Sequence, residues 1–214
     1  AHAEGCMCGG DAVLRHNQNN FLMYKQAQTA GTNPELEKSK LLSNGSGGQL
    51  GRRRPADTLL NFGAGVSTGK KRNKLKVALD VGVVNPQAAC HLSDAAEAVL
   101  GSATAYTQKK RDDNDTDALC DAVGIDYQPI VWESFGGLSE EGQQTLKSIN
   151  RLVAVNTNTP TTEVAQRFWQ KMSVEMQKAN HRAFVKRVSR QYKTMFCDSF
   201  SNKFLQAFPE DAGN

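Results

Sequence analysis

The spacing of apolar positions changes along this chain, and each change predicts a change of secondary structure. Phe21, Leu22, Tyr24 and Ala27 recur at helical spacing within residues 19–30, and Gly31 is placed to end that helix. Asn33 then offers a cap and Pro34 suits a first helical position, which predicts a second short helix through Leu42 carrying Glu37. Residues 44–51 are rich in Gly and Ser and read as a linker. Residues 55–62 and 75–84 read as strands, the second run being rich in β-branched and aliphatic residues. The Gly-rich, basic stretch between them, residues 63–73, suits a long hairpin connection.

Beyond the second strand, Ser93 is placed to cap an alanine-rich helix that runs past Tyr106 into Lys109, Lys110 and Arg111. A short helix is expected over residues 118–123, ended by Gly124, followed by a strand over 127–135 in which Pro129 marks a strand start or a sheet edge. Ser139 caps an amphipathic helix over 138–155. In the last helical region Val164, Phe168, Met172 and Met176 recur every four residues, as a core face or a docking seam does. The order predicts an α/β fold: a small mixed β-sheet flanked by helices, with a C-terminal helical extension. The expected domains are a cysteine/histidine segment over residues 1–18, an α/β domain over 19–155 and a basic helical extension over 156–214.

Charge adds a feature that the pattern does not show. The net charge of +4 is modest, but residues 45–76 hold eight basic residues against one acid, a local +7 that leaves −3 for the rest. Arg52, Arg53, Arg54, Lys70, Lys71 and Arg72 in flexible backbone form the electrostatic footprint of a polyphosphate partner; a solvated loop is the plainer alternative. No apolar run approaches the ~20 residues of a spanning helix, so no membrane partner is expected. No basic stretch leads into an apolar core near residue 1, so no signal peptide is expected either. Five scattered cysteines in a chain this long argue against a disulfide framework and fit a reducing compartment. Cys6, Cys8 and His16 supply three zinc-type ligands, though the single-residue spacing is tight and a fourth ligand is lacking nearby.

Several catalytic motifs fail. The run from Gly63 to Lys71 lacks the hydroxyl residue that a phosphate loop places after its lysine, so nucleotide hydrolysis is rejected. No serine elbow is present, and no cysteine sits in a protease context. An acidic triplet remains: Glu37, Asp57 at the start of one strand, and Asp80 inside the next. Carboxylates converging from neighbouring elements suit a hard divalent cation such as Mg²⁺ or Mn²⁺, which takes oxygen ligands. A charge within an apolar strand is costly without a partner, so the alternative is an Asp80 paired with a basic side chain or capping a helix.

Pro55-Ala56-Asp57, Ala78-Leu79-Asp80-Val81 leading into Asn85-Pro86, and the run from Gln128 to Gly137 resemble the restriction-endonuclease-like domain of the PD-(D/E)XK superfamily found downstream of reverse transcriptases in non-LTR retroelements. Cys6, Cys8, Arg15-His16-Asn17 and Leu36-Glu37 match the same layout, and the likeness covers roughly residues 6–150. The resemblance implies Glu37 as the helix glutamate, with Asp57 and Asp80 as metal-binding acids. Lysine is expected two residues after the second acid, yet Gly82 stands there. Some members supply that lysine from the following helix, which points to Lys109 or Lys110. A further cysteine of the family's zinc knuckle is replaced near Asn19 or Asn20. The implied protein is an intracellular, nuclear, metal-dependent endonuclease acting on DNA, or on RNA, within a larger polyprotein. A binding module that has lost catalysis and a structural subunit of a larger assembly are the alternatives.

Overall fold

A computed structural model describes residues 11–42, 54–62 and 76–187. Its elements are α1 (Asp11–Thr29), β1 (Glu35–Leu36), β2 (Thr58–Asn61), β3 (Lys76–Val84), α2 (Leu92–Glu97), α3 (Gly101–Asp112), α4 (Thr116–Ala122), β4 (Ile125–Glu133), α5 (Glu140–Thr157) and α6 (Thr161–Arg187). Four strands form one mixed sheet in the order β1-β2-β3-β4. The first two pairings are antiparallel and β3 pairs with β4 in parallel. A parallel pair cannot be closed by a tight turn, and here α2, α3 and α4 make the crossover. The expected mixed α/β architecture with a small helix-flanked sheet is present.

The alternation along β3 decides what each face of the sheet does. Val77, Leu79 and Val81 join Ile130 and Trp132 of β4 in a core closed by Met23 and Ala27 of α1, Leu146 and Ile149 of α5, and Val164, Phe168, Met172 and Met176 of α6. The four-residue stripe of α6 is therefore core, and Trp169 of that helix meets Trp132 edge to face with centroids 5.3 Å apart. The region expected as an extension thus contributes to the main core. Ala78, with Leu59, Tyr127 and Cys120, and Val84, with Ala103 and Val131, pack on the opposite face against the crossover helices. Asp80 and Gly82 share this second face by the two-residue strand period.

Three local expectations are corrected. Residues 33–42 do not form a helix: Asn33, Glu37 and Lys40 have φ of 43°, 45° and 63°, and Glu35 and Leu36 pair with Leu59 and Thr58. The capping signal at Asn33 and Pro34 is overridden because this backbone finds partners at the sheet edge, Asn61 N–H donating to Thr32 O and Glu37 N–H to Asp57 O. Glu37 is therefore not on a helix. The alanine-rich helix is broken in two at Leu100, whose φ is 62°. Gly101 allows that break, since a Cβ there would lie 1.8 Å from Asp94 O. The Ser93 cap is also absent; His91 takes the cap position without a side-chain bond.

Ser139 caps α5 as expected, its Oγ accepting from Gly142 N–H at 3.3 Å. Ser139→Ala should lower stability by about 1 kcal/mol, because a buried helix-end donor loses its acceptor. Chemical denaturation checks this, and an unchanged midpoint would remove the cap from the account.

Candidate functional site

Asp57 immediately precedes β2, and its position is set by its backbone. Its N–H donates to Leu79 O at 2.9 Å, extending the β2–β3 ladder toward Asp80. Its Oδ2 accepts from Val81 N–H at 2.7 Å and bonds His16 Nε2 of α1 at 3.0 Å. Asn20, one turn along α1, donates to Asp57 O at 3.4 Å and accepts from Thr58 Oγ1 at 2.7 Å. The helix that begins eight residues earlier than the apolar spacing predicts is thus tied to the strand by polar side chains.

Asp80 stands within β3 on the face toward α3. Lys110 Nζ donates to its Oδ1 at 2.6 Å, and the Tyr127 hydroxyl of β4 donates to its Oδ2. Lys110 lies in the last turn of α3. That helix end is held by its neighbour Arg111, which binds Glu141 at 2.6 Å, Asp117 at 3.0 Å and Tyr127 O at 3.3 Å. Gly82 makes the approach of Lys110 possible. A Cβ at position 82 would meet Lys110 Cε at 2.9 Å and Tyr106 Cε1 at 3.1 Å, so the lysine arm occupies the volume that a side chain at 82 would need.

Asp80, Lys110 and Tyr127 open into a cleft of about 310 Å³ that Arg54, Tyr106, Lys109 and Asp113 also line; Asp57 is not among the lining residues. Between Lys109 and Lys110, both in the cleft, it is Lys110 that reaches Asp80. Glu37 keeps its carboxylate on Arg54 at 2.9 Å, an exposed pair, and only its backbone N–H meets Asp57. Cys6, Cys8, Arg52, Arg53, Lys70, Lys71 and Arg72 lie outside the described residues. His16, expected beside the two cysteines, has its ring nitrogens on Asp57 and Asn17. Among the described residues no group of three or more His, Cys, Asp or Glu side chains is arranged to hold a metal ion. Any cation here would rest on Asp57 and Asp80, with water completing its shell.

The surroundings shift the two carboxyl groups in opposite directions. Burial works against ionisation of Asp57, but the hydrogen bond and charge of His16, the Val81 N–H and the charge of Lys110 hold its carboxyl below the usual range. Burial pushes the Asp80 carboxyl up, and the charge of Asp57 adds to this against the opposing pull of Lys110 and Tyr127. Burial and then Asp80 push the Tyr127 phenol far up, so it remains a donor. His16 is raised chiefly by its hydrogen bond to Asp57, with burial opposing.

A pH dependence of stability follows. The histidine's raised value makes its contribution complete below about pH 6.5 and lost as pH rises through the folded value; the lowered Asp57 makes its own present above about pH 3.9 and lost as pH falls through the folded value. The stability difference between the unaltered chain and His16→Gln should therefore shrink as pH rises above about 6.5. A difference constant from pH 5 to 9 in denaturant titrations would remove the ionic component.

Tyr127, Asn20 and the pairing of His16 with Asp57 are not legible from local pattern. Tyr127 lies two residues before Pro129, and only the β3–β4 register, which sets Ala78 opposite Tyr127 and Asp80 opposite Pro129, brings its hydroxyl to the aspartate. The chain matches no known protein-family model and no curated protein sequence.

Proposed function

We propose that this chain is a metal-dependent DNA endonuclease domain of the restriction-endonuclease-like, PD-(D/E)XK kind. The observation that carries the reading is the exchange between Gly82 and Lys110: the position expected to bear lysine is empty of a side chain, and a lysine from α3 fills that volume and reaches the second acid. Asp57 just before β2 and Asp80 within the antiparallel β3, followed by a helical crossover to a parallel strand, agree with it.

The donor set fits a hard divalent cation, because Asp57 and Asp80 offer carboxylate oxygens from paired backbone, Asp57 bonding the residues on either side of Asp80. Such a cation, when bound, supplies an acidified water and stabilises charge on a phosphate. Asp57 and Asp80 would hold it. Lys110 offsets negative charge beside Asp80 and is placed to neutralise a phosphate entering the cleft, where fixed donors act without reorganisation. Lys109 and Arg54 bind neighbouring phosphates and give affinity without reading bases. Among the described residues no helix is long and apolar enough to cross a membrane.

A cleft lined by Arg54, Lys109 and Lys110 also suits a second reading, a nucleic-acid-binding module without catalysis. Supercoiled plasmid incubated with the chain and Mg²⁺ or Mn²⁺ separates the two. Nicking that chelation abolishes is the expected result. DNA binding without nicking in either metal would leave the binding module.

A further inference from the structure

We infer that His16 and Tyr127 are positioning residues for the two aspartates, each holding one carboxylate by its Oδ2 so that both face the same cation. This rests on the metal-dependent reading above. The two contacts come from unrelated elements, His16 from α1 and Tyr127 from β4, and reach two aspartates that the strand pairing sets side by side, Asp57 bonding Leu79 O and Val81 N–H on either side of Asp80. The His16 side chain is 33% exposed, so water is available to satisfy its ring, yet Nε2 meets Asp57 across 41 positions of sequence. Tyr127 is 1% exposed and must bond its hydroxyl somewhere; Lys110 O lies at 3.4 Å, a weak acceptor distance, and the stronger bond goes to Asp80.

The consequence is geometric. A free carboxylate rotates about its last side-chain torsion, and ordering two of them around one ion costs entropy at the moment of binding. Asp57 Oδ2 is held by His16 and the Val81 N–H, and Asp80 Oδ2 by Tyr127. Asp80 Oδ1 is left to a cation, the ammonium of Lys110 or a metal ion. Hydrogen-bond partners behind metal ligands orient them in this way, and their loss typically weakens metal binding by about 10- to 100-fold.

The test measures Mn²⁺ affinity of the full chain by electron paramagnetic resonance, with melting temperature recorded for every variant. His16→Leu and Tyr127→Phe are each expected to weaken Mn²⁺ binding by about 10- to 100-fold. His16→Gln, whose side-chain N–H reaches near the place of Nε2, is expected to regain most of the loss. Tyr127→Phe keeps the buried ring and so should stay folded. If Asp57→Asn and Asp80→Asn abolish Mn²⁺ binding while His16→Leu and Tyr127→Phe bind as the unaltered chain does, the positioning role is overturned and the metal site stands. If His16→Gln binds as weakly as His16→Leu, the contact is structural only and the inference again falls. An unaltered chain that binds no Mn²⁺ overturns both the metal reading and this inference.

Discussion

Lys110→Met is expected to slow plasmid nicking by about 10²–10³-fold, the usual cost of losing one preorganised charge-stabilising donor. Methionine keeps most of the length and apolar stem of lysine, so the change removes the ammonium and its 2.6 Å bond to Asp80 while leaving the packing beside Tyr106. The sharper test moves the lysine. Gly82→Ala alone puts a Cβ 2.9 Å from Lys110 Cε, which forces the arm away from Asp80 and should lower activity with Lys110 still present. Gly82→Lys combined with Lys110→Ala removes that collision, leaving the 3.1 Å approach to Tyr106 to be relieved by a few tenths of an ångström. The double variant should nick faster than either Lys110→Ala or Gly82→Lys alone. Initial rates at saturating Mg²⁺ decide this, and a double variant no better than the worse single one would break the link between the two positions.

Asp80→Asn should stop nicking altogether while DNA binding persists or tightens. The residue's proposed role is to hold a cation, and removing one negative charge from a cleft that receives phosphates reduces repulsion there. Stability must be followed in parallel. Breaking a fully buried pair by removing one charge costs about 3–5 kcal/mol. The Lys110 and Asp80 side chains retain 17% and 21% exposure, so the cost here is smaller. Asparagine has one acceptor oxygen where aspartate offers two, so it keeps the bond from either Tyr127 or Lys110 and loses the other. A gel-shift titration beside the nicking assay reads the split. Undiminished nicking by a folded Asp80→Asn protein would remove this residue from the mechanism.

The loss of DNA binding in step with nicking would point the other way, to a residue that shapes the phosphate surface. Arg54, Lys109 and Lys110 line the same cleft, so a collapse of their arrangement would show as weaker binding to every sequence.

Much of the architecture follows from the chain's own pattern. The strands β2 and β3, the amphipathic α5 with its Ser139 cap, the apolar stripe of α6 and the edge placement of Pro129 are each written in a run of neighbouring residues. Periodicity and capping act over one or two turns, so a sequence states them directly. Asp57 and Asp80 are legible for a related reason: acids beside or within apolar strands are costly and stand out. The tertiary structure alone decides what those acids meet. Residues 33–42 carry a helix-start signal but pair at the sheet edge, because unpaired strand groups at Leu59 and Thr58 outweigh a local preference of a few tenths to about 1 kcal/mol. The choice between Lys109 and Lys110 is made by the rotation of α3 against β3, and that rotation is set by Arg111 and by the space at Gly82. His16 and Tyr127 reach the aspartates across 41 and 47 positions of sequence, through helix docking and strand register. Contacts of that range depend on where whole elements come to rest, and no short stretch of residues encodes them.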